Sequence, residues 1–347
     1  MKPDQAKHLR IAVIGAGLGA PPHLKSLGDL TDQVELAWLV GRDPDRLAKV
    51  ATPPGTRRTT RLDDVLHDAS VQAALVLTPP NTHLDIVQRL ARAGKHVLVE
   101  KPLDIDVERA CALVEVCEVH GVALAVMLQH RLRDGAKALK DLIDQGLLGQ
   151  IVSANASVRW WRPQSYYDEP GRGTLARDGG GVLITQAIHT LDLLLHLIGT
   201  PVQVSGQIGT SPLHRMEGED TAAALLHYAH GAVASIQATT AAYPGYPERI
   251  EINGSLGSAT LETGTLQVHF LQGGSQTIGA PQAGGGGADP MAFDHGPHRA
   301  VIQDFCEAIQ TGRTPAVSGR SALAVHRLID AIVRSSRAQA AVAYNAD

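Results

Sequence analysis

Leu9-Arg10-Ile11-Ala12-Val13-Ile14-Gly15-Ala16-Gly17-Leu18-Gly19-Ala20 decides how the first third of this chain folds. Six residues rich in β-branched and aliphatic side chains predict a buried strand, and the Gly-x-Gly-x-x-Ala that follows predicts a tight turn opening a helix. Glycines at such a turn let backbone N–H groups approach a pyrophosphate closely. The helix N-terminus behind them adds a partial positive charge worth about 0.3–1 kcal/mol. A glycine turn alone is a weak signal, and its weight depends on the domain around it.

That domain is legible as an alternation. Leu9–Ile14, Val34–Val40, Ala73–Leu77, His96–Val99 and Val122–Met127 read as strands. Asn81–Ala93 and Asp106–His120 carry apolar residues at helical spacing, with Asn81 and Asp104 or Asp106 as caps. Apolar strands separated by amphipathic helices predict an α/β doubly wound parallel sheet over residues 1–128. Beyond a helix at about 134–145 the rhythm changes. Strands are expected at 151–160, 202–209, 221–229, 232–240, 248–252 and 258–271, with one long helix at 181–197 and two closing helices at 298–310 and 319–337. Residues 129–347 therefore read as an α+β domain on an open, largely antiparallel sheet, whose last helices could pack back on the first. The glycine-rich segment 272–287 is expected to be a surface loop.

Composition narrows the function. The 347 residues are 44% hydrophobic and 19% charged, enough to bury two cores. A net charge of -4 with scattered Lys and Arg offers no basic stripe for nucleic acid. The N-terminus lacks the apolar core of an export signal, and the apolar run 182–198 is broken by Gln186, His189, Asp192 and His196, which disfavours a membrane span. Three cysteines form no metal-type cluster, and His227 and His230 stand on opposite faces of a strand, so no metal is expected. A cytoplasmic protein without membrane or nucleic-acid partners is the expectation.

Several positions carry chemistry. At the end of the second strand stand Gly41, Arg42 and Asp43. An acidic tip would bind ribose hydroxyls and repel a 2′-phosphate, whereas Gly41-Arg42 removes that repulsion, favouring NADP while leaving NAD open. Thr78-Pro79-Pro80 ends the next strand in a turn beside the same cleft, and His83 reads as packing or capping. Lys101, in Glu100-Lys101-Pro102, lies at the carboxyl end of a parallel strand, where ligands of such sheets bind. In the second half, Gly179-Gly180-Gly181 runs into a helix on which Thr185, His189 and Asp192 share a face, with glycines that would admit a substrate. Trp161, Arg162, Tyr166 and Arg172 concentrate rings and cations in a chain only 3% aromatic, suggesting a pocket for a hydroxylated ring with a carboxylate or phosphate.

Gly15-x-Gly17, Glu100-Lys101-Pro102, Gly179-Gly180-Gly181 followed by Ile188-His189-x-x-Asp192, and the ending His298 to Phe305 with Thr311-Gly312-Arg313-Thr314-Pro315 together resemble the glucose-fructose oxidoreductase / inositol dehydrogenase / MocA (Gfo/Idh/MocA) family over essentially the whole chain. The resemblance implies a nicotinamide-dependent dehydrogenase of sugars, sugar acids, sugar nucleotides or cyclic diols. It implies dinucleotide contacts at Gly15, Gly17, Leu18, Gly19, Gly41, Arg42, Thr78, Pro79, Pro80, Glu100, Lys101 and Gln129. By the same resemblance Lys101 touches the reacting hydroxyl and His189 is the acid/base. Reference pKa values agree, since roughly one lysine in 2,500 is neutral at pH 7 whereas most histidine is. Gln186 joins the substrate set. Where many members carry Asp, this chain has Thr185, which cannot act as a carboxylate, and Asp192 is the alternative for orienting His189. A homodimer or homotetramer through the second sheet is also implied. An NAD-dependent glycosidase and a dinucleotide-binding regulator are the rival readings.

Overall fold

A computed structural model describes residues 8–279 and 294–345. The chain divides into two compact units. One draws on the described residues of Met1–Asp104, Glu108–Gln129 and His295–Ala322, the other on those of Ile105–Val107, His130–Asp294 and Leu323–Asp347.

The first unit is built on β1 (Leu9–Ile14), α1 (Ala20–Asp29), β2 (Val34–Val40), α2 (Pro44–Lys49), β3 (Arg57–Thr59), α3 (Leu62–Leu66), β4 (Ala73–Val76), α4 (His83–Arg92), β5 (His96–Val99), α5 (Val107–Val119) and β6 (Leu124–Val126). Its six strands pair in parallel in the order β3-β2-β1-β4-β5-β6. β4 is buried along its whole length, which explains an unbroken apolar run instead of an alternating one. The order reverses between β1 and β4, and such a switch point opens a crevice at the carboxyl ends of the strands. Three short elements, α2, β3 and α3, lie where no element is expected from periodicity. Asp104 does not start α5; its Oδ2 accepts from the Leu84 N–H and caps α4, while Arg109 Nε pairs with its Oδ1 at 2.6 Å.

In the second unit come α6 (Asp134–Asp144), β7 (Ile151–Arg159), α7 (Gln164–Tyr167), α8 (Leu175–Asp178), a π-helical turn (Leu183–Ala187), α9 (Ile188–Ile198), β8 (Gln203–Gly209), β9 (Thr221–His227), β10 (Val233–Thr239), β11 (Arg249–Gly254), β12 (Gly257–Glu262), β13 (Thr265–Phe270) and β14 (Ser275–Ile278). The chain then contributes α10 (Gly296–Thr311) to the first unit, runs through α11 (Gly319–Ala338) and ends in β15 (Val342–Ala343). The nine-stranded sheet has the order β14-β13-β12-β11-β7-β10-β9-β8-β15, antiparallel except for β7 with β10. In β9, Ala222, Ala224 and Leu226 are buried and the alternate residues exposed, the period-two pattern of a sheet with one wet face.

Three expectations change. The strand expected at 258–271 is a hairpin, because Thr263 adopts φ 55° and Gly264 follows it, reversing the chain between β12 and β13. Part of the expected loop 272–287 is β14, paired with β13; residues 280–287 lie outside the described residues. The helix expected to run evenly through 181–197 contains the π turn, whose i→i+5 step breaks the spacing that set Thr185 over His189. Leu175–Ile198 is long and apolar enough to cross a membrane, but 83% of its most apolar 18-residue stretch is buried inside the protein, as in a core helix.

Candidate active site

In the first unit the expected dinucleotide residues gather at the carboxyl edge of one sheet. Gly15 has φ +118°, and a Cβ there would stand 2.8 Å from the Leu77 carbonyl, so this glycine lets β1 pass the end of β4. Gly17 and Gly19 differ: an added Cβ would meet nothing within 4 Å. Their open front fits a ligand that needs close backbone approach. Pro21 and Pro22 occupy the first turn of α1 and the Ala20 N–H already donates to the Gly17 carbonyl, so an anion there would be met by N–H groups of the turn before the helix, among them those of Leu18 and Gly19. Leu18 is exposed.

Gly41 is crowded by Leu47 Cδ1 at 2.7 Å from an added Cβ and by Ala16 at 3.3 Å, so a side chain at the β2 tip would require Leu47 to move. Arg42 is exposed. Asp43 is spent on α2, its Oδ1 accepting from Asp45 and Arg46 N–H at 2.9 and 3.1 Å. Thr78, Pro79 and Pro80 form the turn after β4, where the Thr82 hydroxyl bonds to the Thr78 hydroxyl and the Pro79 carbonyl. His83 ties this turn to the one after β5, with Nε2 2.8 Å from the Thr78 carbonyl and Nδ1 3.0 Å from that of Pro102. It is fully buried, as the packing reading required. Lys101 follows β5, and the Glu100 Oε2 accepts from its backbone N–H at 3.0 Å. Gln129 closes the set: its Oε1 is buried and has no hydrogen-bond partner among the described residues, an acceptor suited to a ligand donor.

The second unit holds the other candidates. Gly179 and Gly181 do not open a path for substrate: a Cβ on Gly179 would lie 2.3 Å from the Ile105 carbonyl oxygen, and one on Gly181 1.7 Å from that of Glu219. They are required by backbone packing. Glu219, which carries no motif in the sequence, accepts from Gly181 and Leu183 N–H at 3.1 and 3.0 Å and so caps the helix bearing His189. Burial pushes its carboxyl up, against these donors. Thr185 donates to the Gly181 carbonyl at 2.6 Å and contacts the Gln186 amide oxygen, which is back-bonding along its own helix.

Asp192 is corrected as well. Its oxygens accept from Arg131 Nε at 2.7 Å and Nη2 at 2.5 Å, so the carboxylate is claimed by a guanidinium 61 residues away instead of orienting His189. Burial pushes the Asp192 carboxyl up and Arg131 opposes it, while Asp192 raises the pKa of Arg131 against burial. A guanidinium that keeps its proton, held bidentately, implies a carboxylate, so the pair is ionic. What stands beside His189 is the His130 ring, stacked at 4.8 Å between centroids and 27° between planes.

Around the aromatic loop, Tyr166 is the hub. Its hydroxyl accepts from Arg172 Nη1 at 2.9 Å and Gln186 Nε2 at 3.3 Å. The Arg172 guanidinium lies 4.5 Å from its ring centroid and that of Arg162 5.6 Å. Arg162 is buried, which lowers its pKa, and Arg172 is also held by Glu169 at 2.7 Å. Trp161 packs edge-on to Tyr243 at 5.5 Å. Trp161, Arg162, Tyr166, Arg172 and Gln186 therefore belong to one neighbourhood. Arg131, Glu219 and His130 were not singled out by sequence; Arg131 lies in the short 3-10 helix Gln129–Leu132 after β6, where no pattern announces a buried cation.

A glycine turn at the switch point of a parallel sheet, with a lysine two strands away at the same carboxyl edge, is the architecture of a dinucleotide-binding domain. Residues 9–128 match the NAD-binding Rossmann-fold domain of the GFO/IDH/MocA oxidoreductases, and residues 136–260 match their C-terminal domain. The chain belongs to the Gfo/Idh/MocA family. It is 28% identical over 341 residues to the inositol 2-dehydrogenase of Rhizobium meliloti, covering 94% of this chain and 96% of that protein. It is 27% identical over 320 residues to the scyllo-inositol 2-dehydrogenase (NAD(+)) of Bacillus subtilis, covering 89% of each. The WlbA dehydrogenase of Bordetella pertussis, solved with NADH and UDP-GlcNAcA, superposes with a TM-score of 0.84 at 28% identity over 98% of this chain and 100% of that one.

Proposed function

We propose that this chain transfers hydride between a nicotinamide dinucleotide and a secondary alcohol of a sugar, sugar acid, sugar nucleotide or cyclic diol. The observation that carries the reading is the gathering, at the carboxyl edge of one parallel sheet, of the open Gly17–Gly19 front, the Thr78–Pro80 turn, Lys101 and the orphaned Gln129 acceptor. When bound, the dinucleotide supplies the hydride acceptor or donor. Leu18 and Gly19 N–H groups would hold its phosphates, and Gln129 Oε1 would accept from its carboxamide. Lys101 is assigned to stabilising charge on the substrate oxygen, and the His189 imidazole to taking the hydroxyl proton. Thr185 and Asp192 serve the helix that carries His189. Arg162, Tyr166 and Arg172, with Trp161 and Gln186, favour a substrate bearing a carboxylate or phosphate.

Because Arg42 stands at the β2 tip without an acidic neighbour free to repel a 2′-phosphate, NADP is accepted as well as NAD. A cytoplasmic homodimer or homotetramer through the nine-stranded sheet completes the reading; the outward residues of that sheet include Leu225 and Val233 beside Ser153, Asn155 and Ser235.

The test is absorbance at 340 nm with NADP or NAD against sugars, sugar acids, UDP-sugars, cyclitols and cyclic diols, with Lys101→Met and Arg42→Asp alongside. Reduction lost in Lys101→Met, and a preference moved toward NAD in Arg42→Asp, are expected. Tight dinucleotide binding with no net reduction by any class would refute the dehydrogenase reading.

A further inference from the structure

Three side chains far apart in sequence meet inside the dinucleotide unit: His23 on α1, Glu100 at the end of β5 and His298 on α10, with ligating atoms all within 4.8 Å of one another. Both histidines are buried, His23 to 1% and His298 to 4% exposure. His23 Nε2 lies 2.6 Å from Glu100 Oε1 and donates to it, since a carboxylate oxygen can only accept. Two ligands of a tetrahedral zinc, each at about 2.0–2.1 Å, would stand about 3.3 Å apart, so this separation is that of a charge-assisted hydrogen bond. The other oxygen, Oε2, accepts from the Lys101 backbone N–H at 3.0 Å. His298 supports the arrangement from behind, its ring edge-on to that of His23 at 5.2 Å and 87°.

Each oxygen of Glu100 is thus held by a different element, one by α1 and one by the turn that carries Lys101. Burial works to raise the Glu100 carboxyl, but the hydrogen bond and charge of His23, with His298 and Lys101, outweigh it and hold it at about 2. The His23 Nδ1 is buried with no hydrogen-bond partner among the described residues, so the ring is held through Nε2 alone.

We propose that His23 and His298 are positioning residues that clasp the Glu100 carboxylate and, through it, fix the backbone from which Lys101 reaches its substrate. The inference rests on Lys101 acting as assigned above. The clasp acts on the chemical step and not on uniform binding, because an atomic displacement at a reacting group is felt mainly in the rate.

The experiment compares His23→Leu, which removes the donor, with His23→Gln, whose amide can restore it, and with Lys101→Met, in full-length protein across pH 4.5–9. In His23→Leu, kcat should fall about 10- to 100-fold with the dinucleotide KM within a factor of about three. A new acid limb should appear above pH 4.5, as Glu100 regains an ordinary carboxyl range, and His23→Gln should recover most of the rate. A wild-type kcat and pH profile in His23→Leu, or a loss that His23→Gln does not relieve, overturns the clasp. Wild-type turnover in Lys101→Met overturns the Lys101 assignment itself, whatever His23 does. Should His23→Leu fail to fold, Glu100→Gln carries the test: its NH2 would face a donor, either the Lys101 N–H or the His23 Nε2–H, kcat should fall at least about 10-fold, and an unchanged kcat overturns the proposal.

Discussion

Removing one partner of the Arg131–Asp192 pair should cost far more than removing both. The two bonds, at 2.7 and 2.5 Å, join side chains of which Asp192 is 1% and Arg131 7% exposed. Asp192→Leu leaves a buried guanidinium with two donors orphaned, a change worth about 3–5 kcal/mol. For a unit of this size each kcal/mol moves the melting point by roughly 2–4 °C, so the variant should melt about 6–20 °C lower. Combining it with Arg131→Met replaces the ion pair by apolar volume, and stability should return to within about 1 kcal/mol of the parent or exceed it. Thermal unfolding of the parent, both single variants and the double closes the cycle, and hydride turnover is read on the same samples. A double variant no more stable than Asp192→Leu would refute the ion-pair account. A double variant that folds like the parent but has lost turnover would return Asp192 to the chemistry of His189.

Two comparisons probe other features. Gly17→Ala, whose Cβ meets nothing, should leave the melting point within about 2 °C and weaken dinucleotide binding about tenfold or more by calorimetry, whereas Gly181→Ala, whose Cβ falls 1.7 Å from the Glu219 carbonyl oxygen, should prevent native folding; equal effects on stability would overturn the distinction. Burial pushes the thiols of Cys117 and Cys306 up to about 12, so at pH 8 an aromatic disulfide reagent should titrate about one thiol, Cys111, in native protein and three after denaturation. Rapid modification of more than one native thiol contradicts this.

The parallel sheet was legible because its signals are local: an apolar run, a glycine turn and an amphipathic helix each lie within about a dozen residues. The site was legible in parts. The glycines at 179 and 181 announce a backbone that tolerates no side chain, but only the fold shows that Ile105 and Glu219 impose it rather than a ligand. Thr263 at φ 55° makes the β12–β13 hairpin with a single glycine as its signal, so the two strands read as one. Arg131 with Asp192 and His23 with Glu100 are pairings 61 and 77 residues apart, set by packing that no periodicity records. The π turn hides for the same reason, since one extra residue leaves an apolar run looking helical.

The dinucleotide unit is interrupted in the chain, and this bears on how it is made. α10 buries Val301, Ile302 and Phe305, touches α1 and β5, and is pinned to α1 through His295 Nε2 and Asp29 at 2.8 Å. The first 129 residues leave the ribosome long before that helix, so the apolar side of α1 stays uncovered until about residue 311 has emerged. Vectorial synthesis therefore delivers the glycine turn first and its stabilising cover almost last. A fragment cut after residue 129 would carry the whole six-stranded sheet yet expose the surface most prone to self-association.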